Sequence, residues 1–337
     1  MSLSGQTSPR AGVSGCGMTF SPSRKLTGIL LALGGALTLS MNDLAIKFLS
    51  GTYALHQVIL IRALIGIVLV LVVIRVSGTG LAQLWTRRPR EHLFRVTIVM
   101  VSNVTYFLGL AALPLADAVA TAFISPILVT LMSAVILHEH VGPRRWAAVG
   151  VGMLGVLIMV RPGAGVIQPA AVLVLISAFC YSGSHMMTRR MRDTESAMTL
   201  AFFVQAGFIV VSLTMGFWVG DGHLAGSPNV SLAFLFRPWV VPALGDLWAF
   251  ILTGIGVSLG GMMIGQAYRT NEAALVAPFE YVGMPMAIFW GVVVFGTWPD
   301  HTAWLGIALI CGAGLYTLWR ETIRQKDVDV AAPSGDL

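Results

Sequence analysis

The sequence predicts an all-α membrane protein of ten transmembrane helices, built as two inverted five-helix repeats with both termini cytoplasmic. Three observations carry this expectation. Of 337 residues, 56% are hydrophobic and 11% charged, with a mean hydropathy of +0.82; a soluble domain carries roughly 25% charged residues. Apolar stretches recur along the whole chain, and about 20 such residues suffice to cross a hydrocarbon core of roughly 30 Å as a helix. The second run of five stretches also repeats residues of the first in order. Glu139 lies seven residues before Trp146, and Thr297 seven before Trp304. Asp117-Ala118 corresponds to Glu272-Ala273, Arg62-Ala63 to Gln205-Ala206, and Asn42-Asp43 with Lys47 to Ser184-His185 with Arg189.

Taken in order, the spans run from Leu26 to Phe48, Ala54 to Ile74, Phe94 to Ala112, Ala116 to Leu137 and Trp146 to Val160 in the first repeat. The second holds Ala170 to Met187, Met198 to Val219, Leu247 to Ala267, Ala273 to Phe295 and Ala303 to Leu318. The repeats are therefore expected over residues 26–160 and 168–320, with disordered cytoplasmic tails at 1–25 and 321–337. Both tails are rich in small or polar residues and Pro, which cannot bury enough apolar surface to offset their ordering entropy. The first span is expected to be a retained helix, since no small-residue cleavage site precedes or follows it. Alternation of period two is absent, which argues against a membrane barrel. The long connection from Gly220 to Asp246 contains an apolar stretch, Leu232 to Val241, broken by Pro238 and Pro242. It is too short and kinked to span, and suits a segment lying at the interface.

Cytoplasmic loops of membrane proteins hold an excess of Lys and Arg. With the N-terminus inside, seventeen of the twenty-one basic residues fall on the cytoplasmic side. A span counted in error would reverse every later loop and destroy that bias. The sequence pI of about 9.6 is accordingly a signature of topology and does not call for nucleic acid. Cys16, Cys180 and Cys311 offer neither a disulfide framework nor metal-ligand spacing. His138, Glu139 and His140 do not place two imidazoles on one helix face, so no metal is expected there. No cofactor motif is present, and no nucleophile and base converge at one depth as an intramembrane enzyme requires.

Ionisable groups within a span cost roughly 2.5–3.5 kcal/mol each on insertion scales, and so mark candidate sites. Asp43, Lys47, Arg62 and Glu280 stand out. At 1.5 Å per residue, Asp43 lies roughly 9 Å and Arg62 roughly 12 Å from the same outer surface, so the two can meet. Lys47 is one turn from Asp43 and either pairs with it or snorkels outward. The three are expected either to pin the first two helices as a charge cluster or to line a cavity. Glu280, roughly 12 Å from the inner surface, has no basic residue at its depth. A buried carboxylate of that kind suits proton handling, which makes protons a candidate partner beside the substrate and the lipid bilayer. Asp43 and His185 occupy matching positions of the two copies, at opposite ends of one central pathway. Asn42, Tyr106, Gln205 and Tyr281 complete the candidate set, supplying the polar and aromatic lining typical of small-molecule sites.

The stretch from Pro126 to Glu139 followed by Trp146 and Gly155, with Pro278-Phe279-Glu280-Tyr281 and Phe295-Gly296-Thr297-Trp298-Pro299-Asp300, resembles the ten-helix EamA branch of the drug/metabolite transporter superfamily. One departure is visible: Thr297 stands where the first copy keeps Glu139. Asn42-Asp43 with Lys47, Arg62 and the Pro-Phe-Glu-Tyr segment look like the branch that holds riboflavin and S-adenosylmethionine uptake transporters. The resemblance implies a central cavity between the repeats and alternating access, in the inner membrane. Inverted repeats are themselves a signature of secondary transporters. The expected function is thus transport of a small organic metabolite, first of all uptake of a vitamin or nucleoside-like solute that Phe279 and Tyr281 stack upon. Export of amino acids or related metabolites is the alternative.

Overall fold

A computed structural model describes residues 22–78, 80–136, 143–160, 169–191, 194–270 and 282–331. Among these the regular structure is helical throughout, without strands. In chain order the helices are α1 (Pro22–Leu49), α2 (Leu55–Val76), α3 (Pro89–Ala112), α4 (Leu115–Ala122), α5 (Ser125–Ile136) and α6 (Pro143–Val160). They continue as α7 (Pro169–Met191), α8 (Ala197–Val219), α9 (Val230–Phe236), α10 (Leu247–Thr270), α11 (Gly283–Phe295) and α12 (His301–Ala331). Six stretches are long and apolar enough to cross a bilayer: Leu26–Leu49, Leu55–Val76, Pro89–Ala112, Pro169–Thr188, Ala197–Val219 and Leu244–Ala267. The expected glutamate and tyrosine sites at Glu280 and Tyr281 lie outside the described residues, as do most of the link between the proposed halves and the His138 to His140 run.

Local chemistry sets the ends of these helices. Ser196 precedes α8, and its hydroxyl accepts the Thr199 amide at 3.0 Å, satisfying one of the orphan donors of the first turn. Asn229 does the same for α9, accepting from Ser231 and Leu232. At the far end of α11, Gly296 adopts φ +64°, the left-handed cap that a side chain resists.

The apolar stretch from Ala116 to Leu137, expected as one helix, is two. Pro126 has no amide hydrogen to offer the Ala122 carbonyl four residues back, so the ladder opens there. The Ser125 hydroxyl donates to that carbonyl at 2.5 Å instead. From α7, the buried Ser182 hydroxyl donates to the Ser125 carbonyl at 3.0 Å. Backbone groups freed inside an apolar bundle are thereby re-satisfied by neighbouring hydroxyls, the condition under which a broken helix survives in lipid.

Helix packing is close where side chains are small. α1 lies along α10, and a Cβ on either Gly35 or Gly260 would stand 3.2 Å from the other's carbonyl oxygen. α3 lies along α7, where the Ser102 hydroxyl donates to the Ser177 carbonyl at 3.0 Å. α2 runs beside α8 and α6 beside α12. Such small-residue crossings are how helices associate when lipid offers no hydrophobic drive. Large apolar side chains point away from the bundle instead, among them Val68, Val72, Val210 and Phe217.

The connection from 220 to 246 is more than a segment resting at an interface. It folds back as a strap over one end of the bundle. α9 buries Phe234 completely, and the Ser231 hydroxyl donates to the Leu108 carbonyl of α3 at 2.7 Å. Beyond it, Arg237 donates to the Ser50 and Tyr53 carbonyls at 2.9 and 3.3 Å. Gln57 clasps the Val240 backbone through both amide groups, at 2.5 and 3.2 Å. Tyr53 donates to Asp246 at 2.7 Å and accepts from the Ala243 amide at 3.0 Å. Burial, reinforced by the Asp246 carboxylate, raises the Tyr53 hydroxyl above the ordinary phenol value. Its proton, and with it the bond to Asp246, is retained through neutral pH and lost only on strong alkalisation.

Candidate functional site

Five of the candidate residues, Asn42, Asp43, Lys47, Arg62 and Tyr106, gather where α1, α2 and α3 meet, on the strap side of the bundle. Asp43 projects from α1 and is half-buried. One carboxylate oxygen accepts from the Asn42 side-chain amide at 3.1 Å, the other from the Tyr106 hydroxyl of α3 at 2.9 Å. Asn42 is pressed against α10, where a Cβ at Gly256 would come within 3.1 Å of it. These contacts orient the carboxylate without neutralising it.

Arg62 of α2 is fully buried. Its guanidinium lies over the rings of Phe107 and Phe208, 5.1 and 5.0 Å from their centroids, where the ring faces attract a cation. Nη2 donates to Asn103 Oδ1 at 3.4 Å, a long bond, while Asn103 is itself anchored to the Val99 carbonyl at 2.9 Å. Nε and Nη1 have no hydrogen-bond partner.

The expected charge cluster of Asp43, Lys47 and Arg62 does not form. No direct ion pair joins them among the described residues: Lys47 is committed elsewhere, and Arg62 leaves two nitrogens without a hydrogen-bond partner. Lys47 turns away from Asp43 to the end of α3, where its ammonium donates to the carbonyls of Leu110, Ala111 and Leu113 at 2.7, 3.0 and 2.6 Å. Its three hydrogens meet three carbonyls that the helix terminus leaves without intrahelical donors. A cation there also complements the negative end of the helix dipole. Lys47→Met should consequently act on stability, lowering it by about 2–3 kcal/mol, on the scale of charge-assisted hydrogen bonds. A thermal melt of the purified variant measures this, with transport per folded molecule staying near normal.

In the other half Gln205 of α8 donates to the Ser258 hydroxyl of α10 at 3.2 Å, lying directly on the bare backbone of Gly66. His185 of α7 is half-buried and meets Tyr181 edge-on at 4.3 Å. Arg95 reaches the same region, donating to Thr188 at 3.0 Å and to the Leu200 carbonyl at 3.2 Å. Gln205 thus sits one helix turn from Arg62, against Gly66, whereas the ring contact of His185 is with Tyr181 on its own helix.

Sequence reasoning missed a second polar cluster at the basic end of the bundle. His92 and Glu195, both buried, approach to 3.4 Å, and Thr86 donates to Glu195 at 2.6 Å. The cluster ties the connection after α2 to the turn between α7 and α8. A lone Glu among loop arginines was the only signal, and it carries no periodicity.

Residues 26–161 match the EamA-like transporter family. The chain is 28% identical over 305 residues to a riboflavin transporter of Rhizobium johnstonii, covering 90% of this chain and 95% of that protein. It is 23% identical over 298 residues to an S-adenosylmethionine uptake transporter of Rickettsia prowazekii, covering 88% and 94%. A pseudopaline exporter of Pseudomonas aeruginosa is 26% identical over 286 residues, covering 84% and 93%. A solved crystal structure matches with a TM-score of 0.64 at 19% identity, over 86% of this chain and 96% of that one, a likeness of fold. The chain is thus a multi-pass membrane transporter and not an enzyme, with an EamA-like stretch over residues 26–161 and likeness to uptake transporters along about nine-tenths of its length.

Proposed function

We propose that this transporter imports a small metabolite carrying a planar ring, of the vitamin or nucleoside class with riboflavin first, by alternating access between two inverted repeats. The observation that carries the substrate class is the likeness to riboflavin and S-adenosylmethionine uptake transporters over about nine-tenths of both chains. The repeats are taken as residues 26–160 and 168–320. Helix pairing supports them: α1 on α10 and α3 on α7 are one contact seen in two copies, while α2 on α8 and α6 on α12 lie on the axis relating them. The Arg62 to Asn103 and Gln205 to Ser258 bonds match in the same way. An odd number of spans per copy inverts the second, which is the architecture of many secondary transporters. The basic loop bias supports cytoplasmic termini and an inner-membrane location, with the strap outside.

Asp43, Asn42, Tyr106 and Arg62 form the substrate-facing set in this reading, with Gln205 and His185 on the opposite half and Glu280 as the proton-handling carboxylate. Export is the second reading, favoured by the likeness to the pseudopaline exporter. Uptake into proteoliposomes of riboflavin and S-adenosylmethionine, with and without an imposed proton gradient, separates these readings. Accumulation of either above protein-free vesicles is expected, increased by the gradient. No accumulation of either under any gradient would overturn the import reading.

A further inference from the structure

Arg62 carries hydrogen-bond donors that its surroundings do not use. It is fully buried, two of its three nitrogens have no acceptor, and the third makes one long bond. Buried donors are nearly always paired in native structures, and a cation within an apolar bundle is dearer still to leave so. Asp43 attracts the guanidinium through space but makes no hydrogen bond or ion pair with it, so Nε and Nη1 stay without an acceptor. Packing does not need the charge either. At the matching place in the other half, Gln205 holds α8 to α10 through Ser258 with a neutral amide. A neutral group therefore suffices to join these helices, and the guanidinium serves something else.

We infer that Arg62 is the specificity residue that receives an oxygen acceptor of the substrate, either a ring carbonyl or a carboxylate. The inference rests on the import reading of the same site. The two unpaired nitrogens offer N–H groups in the guanidinium plane, while Phe107 and Phe208 hold the cation in place. Both rings are themselves buried, so they must part for the acceptor to arrive. Beside it on α3, half-buried Asn103 takes the one bond from Arg62, and half-buried Tyr106 donates to Asp43.

The test uses the purified full chain, with riboflavin for the ring carbonyl and S-adenosylmethionine for the carboxylate. Binding is read by riboflavin fluorescence quenching and by ligand-induced thermal shift. Arg62→Gln, which copies Gln205, should melt like the parent yet bind the accepted probe roughly 10- to 100-fold more weakly, the range of a lost charge-assisted bond. Arg62→Lys, which keeps charge without the planar donors, should recover part of that loss. Which probe loses affinity identifies the acceptor. Binding by Arg62→Gln within threefold of the parent would overturn the inference while leaving the import reading intact. If the parent binds neither probe, import fails, and Arg62→Cys in a background lacking Cys16, Cys180 and Cys311 decides separately. Its labelling by a water-soluble anionic thiol reagent would support a pathway-facing Arg62, and inertness would overturn it.

Discussion

Asp43→Asn should cost at least about tenfold in uptake while leaving the protein about as stable as before. The substitution keeps the shape of the side chain and an oxygen for the Tyr106 hydroxyl, so the geometry between α1 and α3 survives. What it removes is charge. A carboxylate within a span costs roughly 2.5–3.5 kcal/mol to insert, while its loss also removes the counter-charge acting on buried Arg62, so the two effects oppose and the melting temperature should change little. A structural role would instead give a lower melting temperature with uptake per folded molecule preserved. In the proposed repeat the corresponding position is His185, in keeping with a scaffold that has no demand for an acid there. Proteoliposome uptake beside a thermal melt separates the two outcomes, and full uptake by the variant would remove Asp43 from the transport machinery.

The parts of the fold legible in the sequence were those encoded by local pattern. The six long spans fall within a few residues of where apolar length alone puts them, because twenty apolar residues have few alternatives to a helix in lipid. The break after Ala122 had a visible cause in Pro126 but was passed over, since apolarity continues across it and hydropathy is blind to a missing amide hydrogen. Site chemistry was legible as residue type and depth, not as partnership. Asp43 meets Tyr106, a partnership that depth did not name, and Lys47 chose backbone carbonyls more than sixty residues away over a carboxylate one turn distant. No periodicity records such a choice. It depends on where α3 ends against α1, which only tertiary packing decides. The strap was legible as unsuited to spanning, yet its anchors on Ser50, Tyr53 and Gln57 are again bonds between distant backbone and side chain.

Those anchors lead to the second large effect. The strap belongs in sequence to the second half of the chain, between α8 and α10, but it is fastened to the first, at the turn between α1 and α2 and the end of α3. If the halves separate at that end to admit substrate, the clasp between Gln57 and Val240 must open in each cycle, together with the Arg237 and Tyr53 bonds beside it. Part-buried hydrogen bonds of this kind contribute roughly 1 kcal/mol each, a cost that a transport cycle can meet. A covalent link cannot be exchanged. With Cys16, Cys180 and Cys311 replaced, Gln57→Cys and Val240→Cys joined by a short bifunctional thiosulfonate should therefore lose roughly tenfold or more in uptake, regained on adding reductant. Each single variant treated alike should retain uptake, which separates the link from the modification. Undiminished transport in the linked protein would mean that the strap travels with the first half as one body, and that the opening lies between it and α8 or α10 instead.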